Sequence, residues 1–221
     1  MNNQDKIILD LCGGTGSWSR PYKDAGYDVR LITLPRFDIT DTRFINSASV
    51  GIEFNGVQDE VGRQEHLFLS YKGIYGILAA PPCTMFSFAR TTAKIPRDLI
   101  KGFQTVEACL QIIWRTREHN PTVFWALENP MGYLRQFLGK PAFTFDPSQF
   151  GADYNKTTDL WGYFNQPKMG KKTRYESTDK NTRKLPVIPK EYTKDSNMTD
   201  IQIKRSITPQ GFAQAFFKAN L

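Results

Sequence analysis

The apolar run Ile77-Leu78-Ala79-Ala80 ends at Pro81-Pro82-Cys83, and that ending constrains the fold more than any other stretch. A continuous apolar run bounded by turn residues reads as a strand buried on both faces, as in a parallel sheet. Pro81 and Pro82 bring no N–H donors and fix φ, so the strand must stop there. Open α/β sheets bind ligands outside the carboxyl ends of their strands. A thiol on that rim is placed to act on a ligand, whereas a free cysteine with no such context is usually a small buried hydrophobe.

Two other runs share this form. Lys6 to Leu11 (KIILDL) leads into Cys12-Gly13-Gly14-Thr15-Gly16-Ser17, and Val123 to Leu127 leads into Glu128-Asn129-Pro130. Between the runs lie helical patterns. Trp18 to Ala25 reads as a helix stopped by Gly26, followed by a strand from Tyr27 to Leu34 that Pro35 ends. Leu99 to Glu118 reads as a long helix with Phe103, Val106, Leu110, Ile113 and Trp114 as its core stripe, and Cys109 packs on it. Alternating strands and helices predict an α/β fold, a mostly parallel sheet covered by helices on both faces. The C-terminal stretch Thr208 to Leu221 reads as a helix capped by Thr208 with Pro209 in its first turn. Past about Gly139 the texture turns to Pro, Gly, Asn, Lys and aromatics, with a short strand at Asp159 to Phe164. The expected division is a catalytic domain of residues 1–140 and 206–221 with a small, loop-rich basic appendage over 141–205.

The net charge of +7 points to a polyanionic partner, above all nucleic acid. It is concentrated between Lys168 and Lys184, where seven cations, among them Lys171, Lys172 and Arg174, face two acids. Three cysteines, Cys12, Cys83 and Cys109, show neither the spacing of a metal site nor that of a disulfide frame. No metal is expected, and the setting is expected to be reducing and cytoplasmic. No run is long enough for a bilayer and no signal peptide is apparent. A monomer is expected.

Three sites follow from the strand ends. The glycines of DLCGGTG allow close backbone approach to a ligand, and the helix behind them offers free N–H groups. Their spacing is neither G-x-G-x-x-G nor the P-loop pattern, which argues against a dinucleotide or a nucleoside triphosphate. Asp10 suits a ligand with an amine or hydroxyl donor. Cys83 and Glu128 complete the set as a thiol and a carboxyl on the same sheet edge.

The order DLCGGTG, PPCTMFS, ENP resembles that of the DNA cytosine-5 methyltransferases, whose usual forms are DLFxGxG, PPCQxFS and ENV. The similarity covers roughly residues 5–139, and ITPQGFAQAF near the C-terminus loosely resembles the family's last motif. Short phage or prophage members are the most similar. The resemblance implies a Rossmann-like S-adenosylmethionine-dependent methyltransferase fold, S-adenosylmethionine as cofactor and DNA as partner. It makes Cys83 the nucleophile that adds to cytosine C6, with Pro82 beside it, and Glu128 with Asn129 the group that holds N3 and the exocyclic amine. Asp10, Cys12, Gly13, Gly14 and Gly16 match the cofactor motif. Trp18 and Pro81 are expected beside the cofactor, and Asp38 loosely matches the acid that receives the adenine amine. Ser87, Arg90, Lys156, Lys171, Lys172 and Arg174 are expected at the DNA.

The chain also departs from the pattern. Cys12 replaces the phenylalanine that stacks on adenine, no acid lies between Asp28 and Asp38 for the ribose, and QxRxR is missing. The stretch NKTTDLWG is the candidate replacement, with Lys156 or Thr158 as the residues that could reach the base, and a charged loop residue is more often simply solvated. Related chemistry on RNA or on a free nucleotide, methylation of an amino group, and a non-catalytic DNA-binding homologue are the alternatives. The basic appendage argues against a free nucleotide. An amino-methylating enzyme would carry an aromatic ring where Cys83 stands, and a mere binder has no use for a thiol beside an acid.

Overall fold

A computed structural model describes residues 2–46, 50–58, 61–88, 95–172, 186–188 and 199–221. Nine strands are assigned: β1 (Ile7–Leu11), β2 (Asp28–Ile32), β3 (Phe37–Asn46), β4 (Val50–Gly56), β5 (His66–Ser70), β6 (Ile74–Ala79), β7 (Phe124–Pro130), β8 (Phe143–Phe145) and β9 (Thr158–Tyr163). The helices are α1 (Arg20–Asp24), α2 (Leu99–His119), α3 (Leu134–Leu138), α4 (Asp200–Ser206) and α5 (Gln210–Ala219). Six strands form one mixed, mostly parallel sheet in the order β2-β1-β6-β7-β9-β8, compatible with a Rossmann-like arrangement. The first four are parallel neighbours, and β9 runs antiparallel to both β7 and β8.

Alternation along the strands divides the core in two. Leu9, Leu11, Ile77, Ala79 and Leu127 face α2, where Val106, Cys109, Ile112 and Ile113 are fully buried. Ile8, Leu78, Ala126 and Leu160 face the other way, onto Trp18 and Tyr22 and onto Phe212 and Phe216 of α5. The buried stripe of α2 is rotated from the one the sequence suggests. Val106, Cys109, Ile113 and Thr116 form its centre, and Trp114 is 56% exposed. An i, i+3, i+4 reading through Trp114 and one through Cys109 fit the same helix, and contact with the sheet selects the second.

Four expectations are corrected. A three-stranded antiparallel sheet, β3-β4-β5, stands between β2 and β6 where no structure was read. Its Phe37, Ile39, Ile52, Phe54 and Leu69 join the α2-side core. Glu128-Asn129-Pro130 does not follow β7 but lies inside it, because β9 supplies partners: Glu128 pairs with Leu160, Asn129 with Asp159 and Pro130 with Thr158. For the same reason β8 and β9, which fall in the stretch expected as an appendage from 141, are strands of the main sheet. The cap of α5 is Pro209, one residue later than expected, and the Thr208 N–H donates to Ser17 Oγ at 2.9 Å. Among the described residues no helix is long and apolar enough to cross a membrane.

Candidate active site at the sheet edge

Because β1, β6 and β7 are parallel neighbours, their carboxyl ends share one edge. Asp10 pairs with Leu78 and Leu11 with Ala79, and Ala79 pairs in turn with Leu127. Pairing persists through Ala80, whose N–H donates to Leu11 O at 2.9 Å, and stops at Pro81, which has no N–H to give. The turn that follows is closed by Phe86 and Ser87, whose N–H groups donate to Cys83 O at 3.0 and 2.9 Å. Asn129 is fully buried and donates from Nδ2 to Pro81 O at 3.0 Å. It positions the Pro-Pro-Cys turn, while Pro82 is exposed at its tip.

Strand parity puts Asp10 and Glu128 on the α1/α5 face, with Ile8 and Ala126, whereas Asn129 points with Leu127 toward α2. Glu128 lines a narrow, solvent-open cleft with Tyr154, Lys156, Thr158, Thr208 and Phe212. Desolvation pushes the Glu128 carboxyl up, the Lys156 ammonium pulls it back, and Asp159 adds to the rise. Burial likewise pushes the half-buried Cys83 thiol up; Lys156 opposes this and Glu128 reinforces it. Thiol and carboxyl therefore lie in each other's field, and one cation, Lys156, acts on both. Lys156 Nζ donates to Arg205 O at 3.3 Å, which places it between the cleft and the end of α4.

Sequence reasoning missed several members of this site. Tyr154 stands in the cleft with its phenol pushed up to about 12, first by burial and then by Asp153 and Glu128. Asp159 is fully buried, and Arg135 holds it through two hydrogen bonds of 2.7 Å while Thr144 donates to the same carboxylate. Residues 206–209 close one wall and are tied to the glycine loop through Thr208 and Ser17. Tyr154 carries no local signal. Asp159 lay next to LWG and was readable as a strand acid, but its arginine is 24 residues away.

The glycine loop has a different character. Asp10 is fully buried, accepts a short hydrogen bond from Ser19 Oγ on Oδ2, and among the described residues has no partner for Oδ1. Burial pushes it up to about 6 against the lowering effect of Ser19. A Cβ on Gly13 would fall 2.0 Å from Asp10 Oδ1, so only glycine fits over this carboxyl. Gly14 and Gly16 have φ of 55° and 66°, and a Cβ on Gly14 would point into open space.

Three expected cofactor contacts are placed elsewhere. Trp18 is 2% exposed and packs on Phe212 and Phe216 at 5.9 and 5.4 Å, so its ring is committed to the core. Cys12, at φ 57°, packs into the α2-side core with its thiol on Cys109, and only its backbone remains in the loop. Asp38 lies in β3 and accepts from Thr40 N–H and Oγ at 2.9 and 2.7 Å. Pro81 is buried at the rim.

Of the expected DNA contacts, Ser87 forms an isolated bridge with Gly132. Lys171 is exposed, and Lys172 pairs with Asp146 at 3.3 Å. Arg90 and Arg174 lie outside the described residues. Compared with protein-family models and with curated proteins, the chain finds no match.

Proposed function

We propose that this protein transfers a methyl group from S-adenosylmethionine to C5 of cytosine in DNA, through a covalent bond between Cys83 and C6 of a flipped-out base. The observation that carries the reading is the placement of Cys83 and Glu128 on one sheet edge, each in the field of the other and both in that of Lys156.

The glycine loop fits a ligand with a donor group. The unpartnered Oδ1 of Asp10, the close approach that Gly13 allows and the open space beside Gly14 support it. Asp10, Gly13, Gly14 and Gly16 would hold the cofactor there, which supplies an electrophilic methyl group.

The chain's own residues do the rest. Lys156 favours the Cys83 thiolate against the burial that opposes it. The thiolate adds to C6, and the ring's electrons move toward C5 and N3. Glu128, whose proton affinity burial raises, donates in its protonated form to N3 and offsets the charge that arrives there. C5 takes the methyl group, its proton leaves to water or a weak base, and the C6–S bond breaks to return the thiolate. The target atom is shielded in a stacked duplex, so the base must be extruded at a cost of a few kcal/mol. The exposed cations and the net charge of +7 favour the phosphate contacts that offset this cost.

DNA containing 5-fluorocytosine, offered with labelled S-adenosylmethionine, tests the reading, because fluorine cannot leave as a proton does. A stable protein–DNA adduct is expected with the natural chain and none with Cys83→Ser. An adduct that forms equally well in Cys83→Ser would overturn it.

A further inference from the structure

One cation beside the Cys83 turn has no part in this chemistry. Arg97 is partly buried just ahead of α2, next to the helix cap Asp98. Its guanidinium donates to Met85 O and to Ser87 O, both at 2.8 Å, and lies over the ring of Tyr133 at 5.1 Å. Those two carbonyls flank Phe86. The Phe86 carbonyl accepts the Tyr133 N–H at 2.9 Å, and the N–H groups of Phe86 and Ser87 close onto Cys83 O. At the same junction a Cβ on Gly132 would fall 2.2 Å from Phe86 O, so the two backbones meet with no room to spare.

The turn that carries the nucleophile is thus anchored before and after the sulfur. Asn129 holds Pro81 O on one side, and Arg97 holds Met85 O and Ser87 O on the other. A planar fork reaches two carbonyls and stacks on a ring at once, which an ammonium cannot do. Among the described residues the cation that bears on the thiol is Lys156. The charge of Arg97 is taken up by main-chain oxygens.

We infer that Arg97 is a positioning residue for Cys83: it fixes the turn from Pro81 to Ser87 so that the sulfur stays at the rim, and it leaves the charge state of the thiol to Lys156. The consequence for turnover rests on the function proposed above; the anchoring itself does not.

Three measurements on Arg97→Ala and Arg97→Lys test this. Hydrogen exchange in the peptide spanning residues 83–88 is expected to speed up about tenfold, the loss of roughly one hydrogen bond's stabilisation, with β1 unchanged. The kcat for methyl transfer is expected to fall about 100-fold, as for a nucleophile displaced by about an ångström, with the KM for S-adenosylmethionine little changed. The pH midpoint for alkylation of Cys83 by iodoacetamide, followed by peptide mass mapping, is expected to stay where the natural chain has it. Unchanged exchange in the 83–88 peptide overturns the inference, and so does an alkylation midpoint that moves. Arg97→Lys carries the same test should Arg97→Ala not fold. A natural chain that methylates no DNA would sink the proposed function, and the exchange data would still decide on Arg97.

Discussion

Asp10 and Glu128 lie within two parallel strands, β1 and β7, on the same face of one sheet, and burial raises the affinity of both for a proton. They differ in what surrounds them. Asp10 is sealed under Gly13 with a hydroxyl for a partner and, among the described residues, no cation acting on it. Glu128 borders an open cleft, with Lys156 lowering and Asp159 raising its proton affinity. The first arrangement suits a fixed acceptor waiting for a donor; the second suits a group that must give up and regain a proton. Equal chemistry on parallel strands is given different work by a glycine on one side and an ammonium on the other.

The comparison is broken most directly at Glu128. Glu128→Gln is expected to lower methyl transfer by about 10²- to 10⁴-fold, the range of a lost proton donor, with the melting temperature little altered. Equal turnover in this variant would leave Glu128 with no role in proton transfer. The pH profile sharpens the point. Transfer needs Cys83 ionised and Glu128 protonated, so the rate should rise as the thiol ionises and fall as Glu128 loses its proton. Removing the acid in Glu128→Gln should abolish the falling limb of whatever rate remains.

At the other acid the expected effect is on stability. Asp10 binds its proton more tightly folded, near pH 6, than unfolded, near 3.8. Its contribution is fully present below the unfolded value and is lost as pH rises through about 6. Asp10→Asn keeps the shape and removes the charge, so it should stabilise the ligand-free chain at pH 7.5 by up to about 3 kcal/mol, the equivalent of the raised proton affinity. The gain should vanish below pH 4 in urea titrations. A variant less stable than the natural chain at both pH values would show that the carboxylate is satisfied in some way the Ser19 contact does not reveal. Gly13→Ala should cost about 1–3 kcal/mol by overpacking against the same carboxyl. In a double-mutant cycle with Asp10→Ala most of that cost should disappear, because the clash needs both groups. The smallest effect belongs to Lys156→Met, which should move the alkylation midpoint of Cys83 to higher pH. No movement would remove Lys156 from the account of the thiol.

How much of this was legible depended on the kind of signal. The continuous apolar runs at β1, β6 and β7 announced buried strands, and the residues after them announced a common edge. The β3-β4-β5 sheet announced itself more quietly. Phe37 and Ile39, and Ile52 and Phe54, alternate with polar residues, the pattern of strands with one wet face, which a search for unbroken runs passes over. In the site, Cys83 and Glu128 were marked by their position after apolar runs, although β7 in fact continues through Glu128. Tyr154, the Arg135–Asp159 pair and the Arg97 anchor depend on contacts that only the folded chain creates. Trp18 shows the converse: a large ring beside a glycine loop looks like a ligand contact until α5 covers it.

The pairing of β7 with β6 on one side and β9 on the other has a wider consequence. Side chains alternate across a sheet, so a slip of one residue in β7 would turn Glu128 under the long helix and swing Asn129 into the cleft. One misaligned ladder would thus take Glu128 out of the cleft and unfasten the Cys83 turn together. The alignment of neighbouring strands is, in this molecule, the ruler that spaces the sulfur from the acid.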